Sequence, residues 1–400
     1  MKKHKIILFQ KYLRSHILNF GKNLKKFEFF LAFKEESTKK LYQRITTFEN
    51  ETNRKKTGFV SWIRRIVGIP NFRLKFFSNG ELVFTYGCLL FTNKPYCVYI
   101  ENGISIYKYD SVIAKNPIAK AITSFLIKRK QCKKLIFMSE TAQKSFLSSV
   151  KYSKKTIAAI KSKSAQCYPL IMRKSDPSAK KFSGQIKLLF TGTFYMKGGI
   201  EVVNAFEKLK KKYPNFSLTI ITQIQALAKK DLERIKNIEG IDIFNAKFNI
   251  DQMNEFYRTH DIFILPSYRD SFGMILVEVM SLGMPVIATD QYATSEMITN
   301  GYNGFLYPNH PLKDYDPETF KIFGKYYQPK DFYSKLFKLQ KEGKMKTIES
   351  FLYDSAEKFI IDPELLGKFS NNSLEMYDKK FHYNLISNRI ESIFKDALSV

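Results

Sequence analysis

The segment from Asp261 to Pro308 constrains the fold of this chain more than any other. It begins with a short apolar run, Phe263–Leu265, which is typical of a parallel strand covered on both faces. Pro266 ends that run, and after a helical stretch closed by Gly283 a second apolar run, Val286–Thr289, resumes the sheet. The order predicts a strand–helix–strand unit of a parallel sheet.

The polar residues after the first strand predict a ligand-binding helix start. Ser271 is a good helix N-cap, so a helix beginning there turns the free amides of Phe272, Gly273 and Met274 toward the carboxyl end of the sheet. Such amides attract anions and polar ligand atoms.

Two acids flank that helix start. Glu278 lies seven residues after Ser271, about two helical turns, and therefore returns to the face that Asp270 occupies. The helix around Glu278 is apolar nearly all round, where an ionised Glu is costly to bury unless something bonds to it. The two acids are therefore predicted to hold one extended ligand at two points.

An upstream loop, Thr191–Gly199, follows another predicted strand, Ile186–Phe190, and precedes a predicted helix. Strand, glycine turn and helix form the first half of a nucleotide-binding βαβ unit, and Lys197 lies in its turn. Further strands and helices alternate on both sides, which predicts doubly wound parallel sheets. Ligands bind such sheets at the carboxyl ends of the strands, where Lys197, Asp270 and Glu278 fall.

At these residues the chain resembles the retaining nucleotide-sugar glycosyltransferases of family 4, which have the GT-B fold. The positions that match the family pattern are Pro266, Ser267, Asp270, Phe272, Gly273, Glu278, Gly283, Pro285 and Val286. The resemblance is close over residues 186–308 and loose over the whole chain. It implies an α/β protein of two doubly wound Rossmann-like domains facing across a cleft, with a C-terminal helix that crosses back to the first domain.

The resemblance also implies roles. Glu278 would accept the ribose hydroxyls, Asp270 and nearby amides would hold the donor sugar, and Lys197 would offset the charge of the leaving diphosphate; Asp270 and Lys197 are the implied catalytic residues. No metal and no other cofactor is implied. The implied donor-binding residues are Gly192, Thr193, Lys197, Ser271, Phe272, Gly273, Met274 and Glu278.

Three departures from the family pattern bear on activity. The first acid is Asp270 instead of Glu, and Thr193 stands where the family often has Arg. The predicted strand Tyr96–Ile100 ends in Glu101 and Asn102, where many members have a His. Either residue is a candidate for the acceptor side, and an ordinary Asn-Gly turn is the alternative.

The resemblance and the composition together predict the domain organisation. Residues 1–170 form a basic acceptor-binding domain, 171–184 a linker with three Ser, Pro177 and Gly184, and 185–380 the nucleotide-sugar domain. Residues 381–400 form the returning helix. Residues 310–345 are a polar stretch that is interpreted as an insertion in the nucleotide-sugar domain.

Charge is divided unequally along the chain. Residues 1–182 contain 38 Lys and Arg against 10 Asp and Glu, a net charge of +28, and the remaining residues contain 28 against 27, a net of +1. A basic half of this kind predicts an anionic partner: a phospholipid surface, a phosphate-bearing acceptor or nucleic acid. An AT-rich genome favours lysine codons and so contributes to the total number of basic residues. It does not explain why the second half of the chain is neutral.

No run of about eighteen apolar residues predicts a transmembrane helix. Phe27–Phe33 and Ser61–Val67 are candidates for membrane-surface helices, and a core-facing helix is the alternative for the first. Four cysteines without CxxC spacing predict reduced thiols in a cytosol, and five scattered histidines give no support for a metal site.

The sequence therefore predicts a cytoplasmic glycosyltransferase, peripheral on the inner face of the membrane. It would move a sugar from a nucleoside diphosphate to a hydroxyl of an anionic or lipid-linked glycan in surface polysaccharide or glycolipid synthesis. The alternatives are a pseudoenzyme that only binds sugar nucleotides, a nucleotide-sugar epimerase, and a basic nucleic-acid-binding protein. No recognition motif supports the last, so nucleic acid is not an expected partner.

Overall fold

The computed structural model describes residues 3–9, 17, 19–21, 24–32, 65–173, 176–308, 310–324 and 329–399. The chain divides into two compact units. The first comprises Met1–Leu170, Asp314–Tyr327 and Tyr383–Val400, and the second comprises Ile171–Lys313 and Gln328–His382. Each unit is built around its own sheet of parallel strands, which confirms the predicted fold class.

The main sheet of the first unit contains six described strands, and two further strands form a small parallel sheet. The strands are β1 (His4–Phe9), β2 (Phe27–Leu31), β3 (Phe72–Leu74), β4 (Leu82–Tyr86), β5 (Leu89–Phe91), β6 (Tyr96–Ile100), β7 (Cys132–Phe137) and β8 (Ser164–Gln166). The main order is β2-β1-β4-β6-β7-β8, and β3 pairs with β5. Every residue of β6 is buried, as expected for a central strand covered on both faces.

Described helices cover this sheet, and their starts follow from local capping residues. They are α1 (Ser111–Lys115), α2 (Pro117–Lys128), α3 (Glu140–Ser149), α4 (Lys154–Lys163) and the C-terminal α12 (Tyr383–Ser399). Asn116 has an extended backbone and accepts hydrogen bonds from the amides of Ile118 and Ala119. Because Pro117 then suits the first helical position, α1 and α2 form as two separate helices.

Helix α12 packs on the sheet of the first unit. The ring of Phe394 contacts those of Phe84 and Phe27 at centroid distances of 5.2 and 5.6 Å. The amide of Lys26 donates to Glu391 at 3.2 Å. The prediction that the last helix returns to the first domain is confirmed.

Residues 314–327, here called the returning segment, also belong to the first unit. Ser148 Oγ donates to the carbonyl of Thr319 at 2.8 Å, and the amide of Ile322 donates to Ser149 Oγ at 3.0 Å. A Cβ at Gly324 would lie 2.2 Å from Ser111 Oγ, so the segment contacts the start of α1 closely. The polar stretch 310–345 is therefore shared between the two units, which the sequence did not predict.

The proposed membrane helix at Phe27–Phe33 is wrong over its described part. Phe27–Leu31 is β2, which pairs in parallel with β1 at the edge of the sheet. Phe27 is buried, whereas Phe30 and Leu31 are exposed, so the apolar run serves an edge strand. Phe33 lies outside the described residues, as do 61–64 of the second candidate.

The second unit has a sheet of six described parallel strands. They are β9 (Ile186–Thr191), β10 (Phe216–Thr222), β11 (Ile241–Asn245), β12 (Ile262–Leu265), β13 (Val286–Thr289) and β14 (Gly304–Tyr307). Their order is β11-β10-β9-β12-β13-β14. The described helices are α5 (Gly199–Lys212), α6 (Lys229–Lys236), α7 (Ile250–Thr259), α8 (Met274–Met280), α9 (Pro329–Lys341), α10 (Lys346–Ile361) and α11 (Pro363–Met376).

This strand order creates a topological switch point in the sheet of the second unit. The chain proceeds outward in one direction from β9 and in the other from β12, and these two strands are neighbours, with Ile262 opposite Leu188. Such a switch point is where open α/β sheets bind ligands, outside the carboxyl ends of the strands. The loops that follow β9 and β12 are those that contain Lys197 and Asp270.

Candidate functional site

Lys197 and Asp270 meet at the switch point although they are 73 residues apart. Lys197 Nζ lies 2.6 Å from Asp270 Oδ2, and it also donates to Ser267 Oγ and to the carbonyl of Arg269, both at 3.1 Å. Three acceptors satisfy the three N–H groups of the ammonium. The side chains are 18% and 23% exposed, so the pair is shielded but within reach of a ligand.

Close contacts between the two loops fix the position of Lys197. The amide of Tyr268 donates to the carbonyl of Met196 at 3.1 Å. Gly198 has φ +75°, and a Cβ there would lie 2.6 Å from the carbonyl oxygen of Pro266. Only glycine allows both this conformation and this approach, so Gly198 brings the Lys197 loop against the end of β12.

The remaining predicted residues of this loop act through the backbone. Gly192 accepts a hydrogen bond from Thr222 Oγ1 at 2.8 Å, and its Cα side faces the Lys197 stem, since a Cβ there would lie 3.0 Å from Lys197 Cγ. The carbonyl of Thr193 accepts from the amide of Lys197 at 2.9 Å. These bonds shape the turn around the ammonium.

The predicted N-cap at Ser271 is wrong. The amide of Ser271 donates to Asp270 Oδ1 at 2.9 Å, and helix α8 begins at Met274 with Gly273 as its N-cap at φ +82°. Because Gly273 adopts the left-handed conformation, residues 271–273 stay outside the helix and Phe272 is buried. The amides of the first turn therefore belong to Met274 and Ile275 instead of Phe272 and Gly273.

Glu278 lies in α8 as predicted, and it is half-buried. The hydroxyl of Tyr257 donates to Glu278 Oε2 at 3.3 Å. Burial, and then the Glu278 charge, raises the pKa of Tyr257 well above its usual value, so this phenol stays protonated and remains a donor. A protein partner therefore offsets part of the desolvation of Glu278, which sequence reasoning had assigned to a ligand alone.

A buried polar cluster behind the Ser267–Asp270 loop was not predicted. Tyr268, Glu201 and His310 are each at least 97% buried, and the Tyr268 hydroxyl and Glu201 carboxylate lie together. Gln340 Nε2 donates to Glu201 Oε1 at 2.8 Å. Burial raises the pKa of Glu201 and lowers that of His310 to about 3.

Gln291 connects this cluster to the site. Its Oε1 lies 2.5 Å from His310 Nε2, and its Nε2 donates to the carbonyl of Asp270 at 3.4 Å. The signal that could have revealed the cluster is Glu201, an acid at a position facing the apolar side of α5.

The predicted acceptor residues are buried in the first unit. Glu101 follows β6 and accepts hydrogen bonds from the hydroxyls of Tyr86 and, at 3.1 Å, Tyr109. Asn102 Oδ1 accepts from the amide of Ile104 at 3.0 Å, which makes this the Asn-centred turn that the sequence left as an alternative.

The described part of the chain has neither a cluster of metal ligands nor a membrane-spanning helix. There, no three His, Cys, Asp or Glu side chains group as metal ligands. Nor does any helix of that part have the length and apolarity that crossing a membrane requires.

The comparisons with known proteins agree with this geometry. The Glycosyl transferases group 1 family matches residues 172–315. An uncharacterized glycosyltransferase of Methanocaldococcus jannaschii is 27% identical over 261 residues, 62% of this chain and 63% of that protein. A D-inositol 3-phosphate glycosyltransferase of an Arthrobacter species is 29% identical over 33% of each chain. The chain thus matches less than two thirds of the length of either relative.

The fold extends further than the sequence match. The crystal structure of Anabaena HepE in complex with UDP and glucose superposes with a TM-score of 0.57 at 12% identity, covering 98% of this chain and 99% of HepE. The protein therefore has the GT-B fold, and its residues 172–315 match the Glycosyl transferases group 1 family.

Proposed function

We propose that the protein is a hexosyltransferase that moves a sugar from a nucleoside diphosphate to an acceptor hydroxyl with retention at the anomeric carbon. The observation that carries the proposal is the Lys197–Asp270 pair at the switch point of the second sheet, inside the region matched by the glycosyl transferases group 1 family. The pair places a cation that can bind a diphosphate next to a carboxylate that can bind sugar hydroxyls.

The chemistry follows from where charge develops. The bond between the anomeric carbon and the diphosphate oxygen breaks, and its electron pair leaves with the phosphate. The acceptor oxygen bonds to that carbon on the same face, and its proton passes to the departing phosphate oxygen. The Lys197 ammonium stabilises the negative charge that grows on the diphosphate, which is the main catalytic contribution of a preorganised cation. No metal ion is invoked.

Donor binding would rearrange the contacts of Lys197. One N–H now held by Asp270 turns to a diphosphate oxygen, and Asp270 Oδ2 accepts from a sugar hydroxyl instead. Ser267 Oγ and the Arg269 carbonyl keep the ammonium in place during the exchange. Glu278 accepts from the ribose hydroxyls, as its family position implies. The presence of UDP and glucose in HepE supports a uridine diphosphate hexose as the first donor to test.

The acceptor that we propose is an anionic or lipid-linked glycan used in surface polysaccharide or glycolipid synthesis. The net charge of +28 over residues 1–182 supports an anionic acceptor and an anionic membrane surface. The Arthrobacter relative is named for a phosphorylated acceptor, inositol 3-phosphate. We place the protein in the cytoplasm, peripherally on the inner face of the membrane.

The test has a binding step and a transfer step. Calorimetric titration with UDP, GDP and ADP identifies the base, and release of the nucleoside diphosphate with lipid extracts as acceptor measures transfer. Acceptor-dependent release supports the proposal, and mass spectrometry of the product gives the linkage. Failure to bind any nucleoside diphosphate or its sugars would overturn it.

A second candidate function is sugar-nucleotide binding without catalysis. The observation that favours it is the mutual neutralisation of Lys197 and Asp270, because a ligand has to compete with an existing ion pair. Tight donor binding without transfer to any acceptor fraction is the outcome that selects it.

A further inference from the structure

The first unit exposes a cluster of apolar side chains that its sheet and helices leave uncovered. Seven large hydrophobic side chains of the described chain are more than half exposed, and Ile250 and Ile361 lie singly on helices of the second unit. The other five form what is here called the apolar face: Ile66, Leu74, Phe76, Ile118 and Phe125.

Contacts between neighbouring elements relate these residues to one another. Asn116 Nδ2 donates to the carbonyl of Ile66 at 3.2 Å. Helix α2 begins at Pro117, the residue after Asn116. Ile118 and Phe125 are seven residues apart on α2 and therefore share one side of the helix. The apolar face thus runs along the exposed side of α2.

The other end of the apolar face is formed by the small sheet. The ring of Phe125 stacks on Phe91 at 6.3 Å, and Phe91 pairs with Leu74 across β5 and β3. Phe76 follows two residues later. Neighbouring elements therefore expose the five side chains, from the helical residue Ile66 through α2 and the small sheet to Phe76. Exposed apolar surface of this kind marks an interaction site.

Basic side chains alternate with the apolar ones. Arg73 and Lys75 flank Leu74, and Lys128 is exposed at the end of α2. The guanidinium of Arg129 lies 4.1 Å from the Phe91 ring centroid. Long basic side chains beside apolar ones suit an interface where the first reach phosphates and the second enter the hydrocarbon.

Acids are nearly excluded from this surface. Residues 65–134 contain twelve Lys and Arg and three Asp and Glu. Glu101 and Asp110 are buried, and Asp110 is paired with Arg65 at 2.5 Å. The third acid, Glu81, is hydrogen-bonded to His4 Nδ1 at 2.8 Å.

We propose that the apolar face and its basic neighbours form the surface by which the first unit docks on an anionic phospholipid membrane. Aliphatic Ile and Leu side chains have no stacking partner in nucleic acid, whereas acyl chains accommodate them, so the chemistry favours lipid. This inference rests on the membrane location proposed above and assigns it to named residues.

The experiment is cosedimentation of the full-length protein with vesicles of phosphatidylcholine alone or mixed with phosphatidylglycerol. The apolar test variant is Leu74→Gln with Ile118→Gln, and the matched control is Ile250→Gln with Ile361→Gln in the second unit. The apolar variant should bind the mixed vesicles about tenfold or more weakly at every salt concentration, because each side chain loses apolar burial. The control should bind as the wild type does.

A charge variant tests the basic component. Lys75→Gln with Lys128→Gln should weaken binding about thirtyfold at low salt, since each Lys near an anionic surface contributes roughly 1 kcal/mol. The difference should disappear near 1 M salt, where the Debye length is about 3 Å. Lys211→Gln with Lys229→Gln, in the second unit, is the matched control.

Three results would overturn the proposal. The first is vesicle binding by the apolar variant equal to that of its control. The second is a wild-type dimer in light scattering that the apolar variant dissociates, because the face would then join two copies of the chain. The third is a preference for duplex DNA over vesicles in competition.

The test separates the docking surface from the proposed enzyme. Thermal unfolding and nucleoside diphosphate affinity of each variant show that the fold and the second unit are intact. Loss of vesicle binding with unchanged nucleotide affinity supports the surface whether or not transfer is found. If the apolar variant transfers sugar to a soluble acceptor and still binds vesicles as the wild type does, the result supports the proposed enzyme and rejects the docking surface.

Discussion

The two sheets differ at their carboxyl ends although both are parallel and doubly wound. In the second unit Lys197 and Asp270 form a partly exposed ion pair whose contacts a ligand can exchange. In the first unit Glu101 is 6% exposed and held by tyrosine hydroxyls. The difference lies in the loop residues and not in the strand arrangement that the two sheets share, and it makes the second sheet end the proposed site of chemistry.

The largest expected effect comes from removing the cation of the second unit. Lys197→Met keeps the length of the side chain but leaves the growing phosphate charge without its cation. The turnover number should fall about 10²–10³-fold. The measurement is nucleoside diphosphate release at saturating donor, with Lys211→Met as the exposed control. A wild-type rate would mean that the ion pair is structural, like the acid of the first unit.

Glu278→Gln should abolish most sugar transfer and leave the fold intact. A charged hydrogen bond contributes roughly 1.5–3 kcal/mol, so donor affinity should fall about tenfold or more. Tyr257→Phe removes the protein partner of the same carboxylate and should weaken donor binding less. Calorimetric titration of both variants ranks the two contributions, and equal wild-type affinities would refute the assignment of Glu278.

Asp270→Ala should lower turnover about tenfold or more, because it removes one charged hydrogen bond to the sugar. Lys197 retains Ser267 and the Arg269 carbonyl in this variant and loses the competing carboxylate, so nucleoside diphosphate affinity should not fall. The companion variant Asp270→Glu restores the family residue. Higher activity in Asp270→Glu than in the wild type would favour the binding-only function, and equal rates in all three proteins would show that position 270 does not touch the donor.

Glu101→Gln tests the other sheet end. The change weakens the bonds from the Tyr86 and Tyr109 hydroxyls, so it should reduce the free energy of unfolding by about 1–3 kcal/mol. Nucleoside diphosphate affinity should be unchanged. Denaturant titration measures the first quantity and calorimetry the second, with Glu28→Gln on the exposed side of β2 as the control. A large loss of transfer at unchanged stability would instead return Glu101 to the acceptor site.

The smallest expected effect is a loss of folding stability at acidic pH. Burial lowers the pKa of His310 to about 3 and that of His260 to about 4 in the second unit. Their unfolded value is about 6.5, so the unfolded chain binds more protons between these limits and stability is lost as the pH falls below about 6.5. The loss is about 1 kcal/mol per histidine between pH 6.5 and 5.5.

Comparison of variants isolates the histidine contribution. In His310→Gln the loss of unfolding free energy between pH 6.5 and 5.5 should be about 1 kcal/mol smaller than in the wild type. Denaturant titrations at pH 7.5, 6.5 and 5.5 measure the slopes. An unchanged slope in His310→Gln would contradict a buried neutral imidazole.

The sequence was most informative where local chemistry decides structure. Strands β6 and β13 were predicted to the residue, because short apolar runs bounded by turn residues leave few alternatives. Glycine and proline positions indicated the loops that contain Lys197 and Asp270, and the family resemblance implied the roles of these two residues. These signals all lie within a few residues of the feature they specify.

Features that depend on distant residues were missed. The position of α8 depends on Gly273 adopting φ +82°, which a nearby Ser with good capping chemistry concealed. The partner of Glu278 is Tyr257, which lies on another helix. Phe27–Leu31 is as apolar as a membrane-surface helix, and only its pairing with β1 makes it a strand.

The returning segment and α12 have a consequence for how the protein is produced and evolves. The first unit is assembled from three stretches of the gene, and the second from two. A fragment ending near residue 170 lacks Phe394, which fills the space between Phe27 and Phe84, and lacks the backbone groups that bond Ser148 and Ser149. Exchange of halves between homologous genes at one crossover therefore yields an incomplete first unit, and functional chimaeras need matched junctions at 313, 327 and 382 as well.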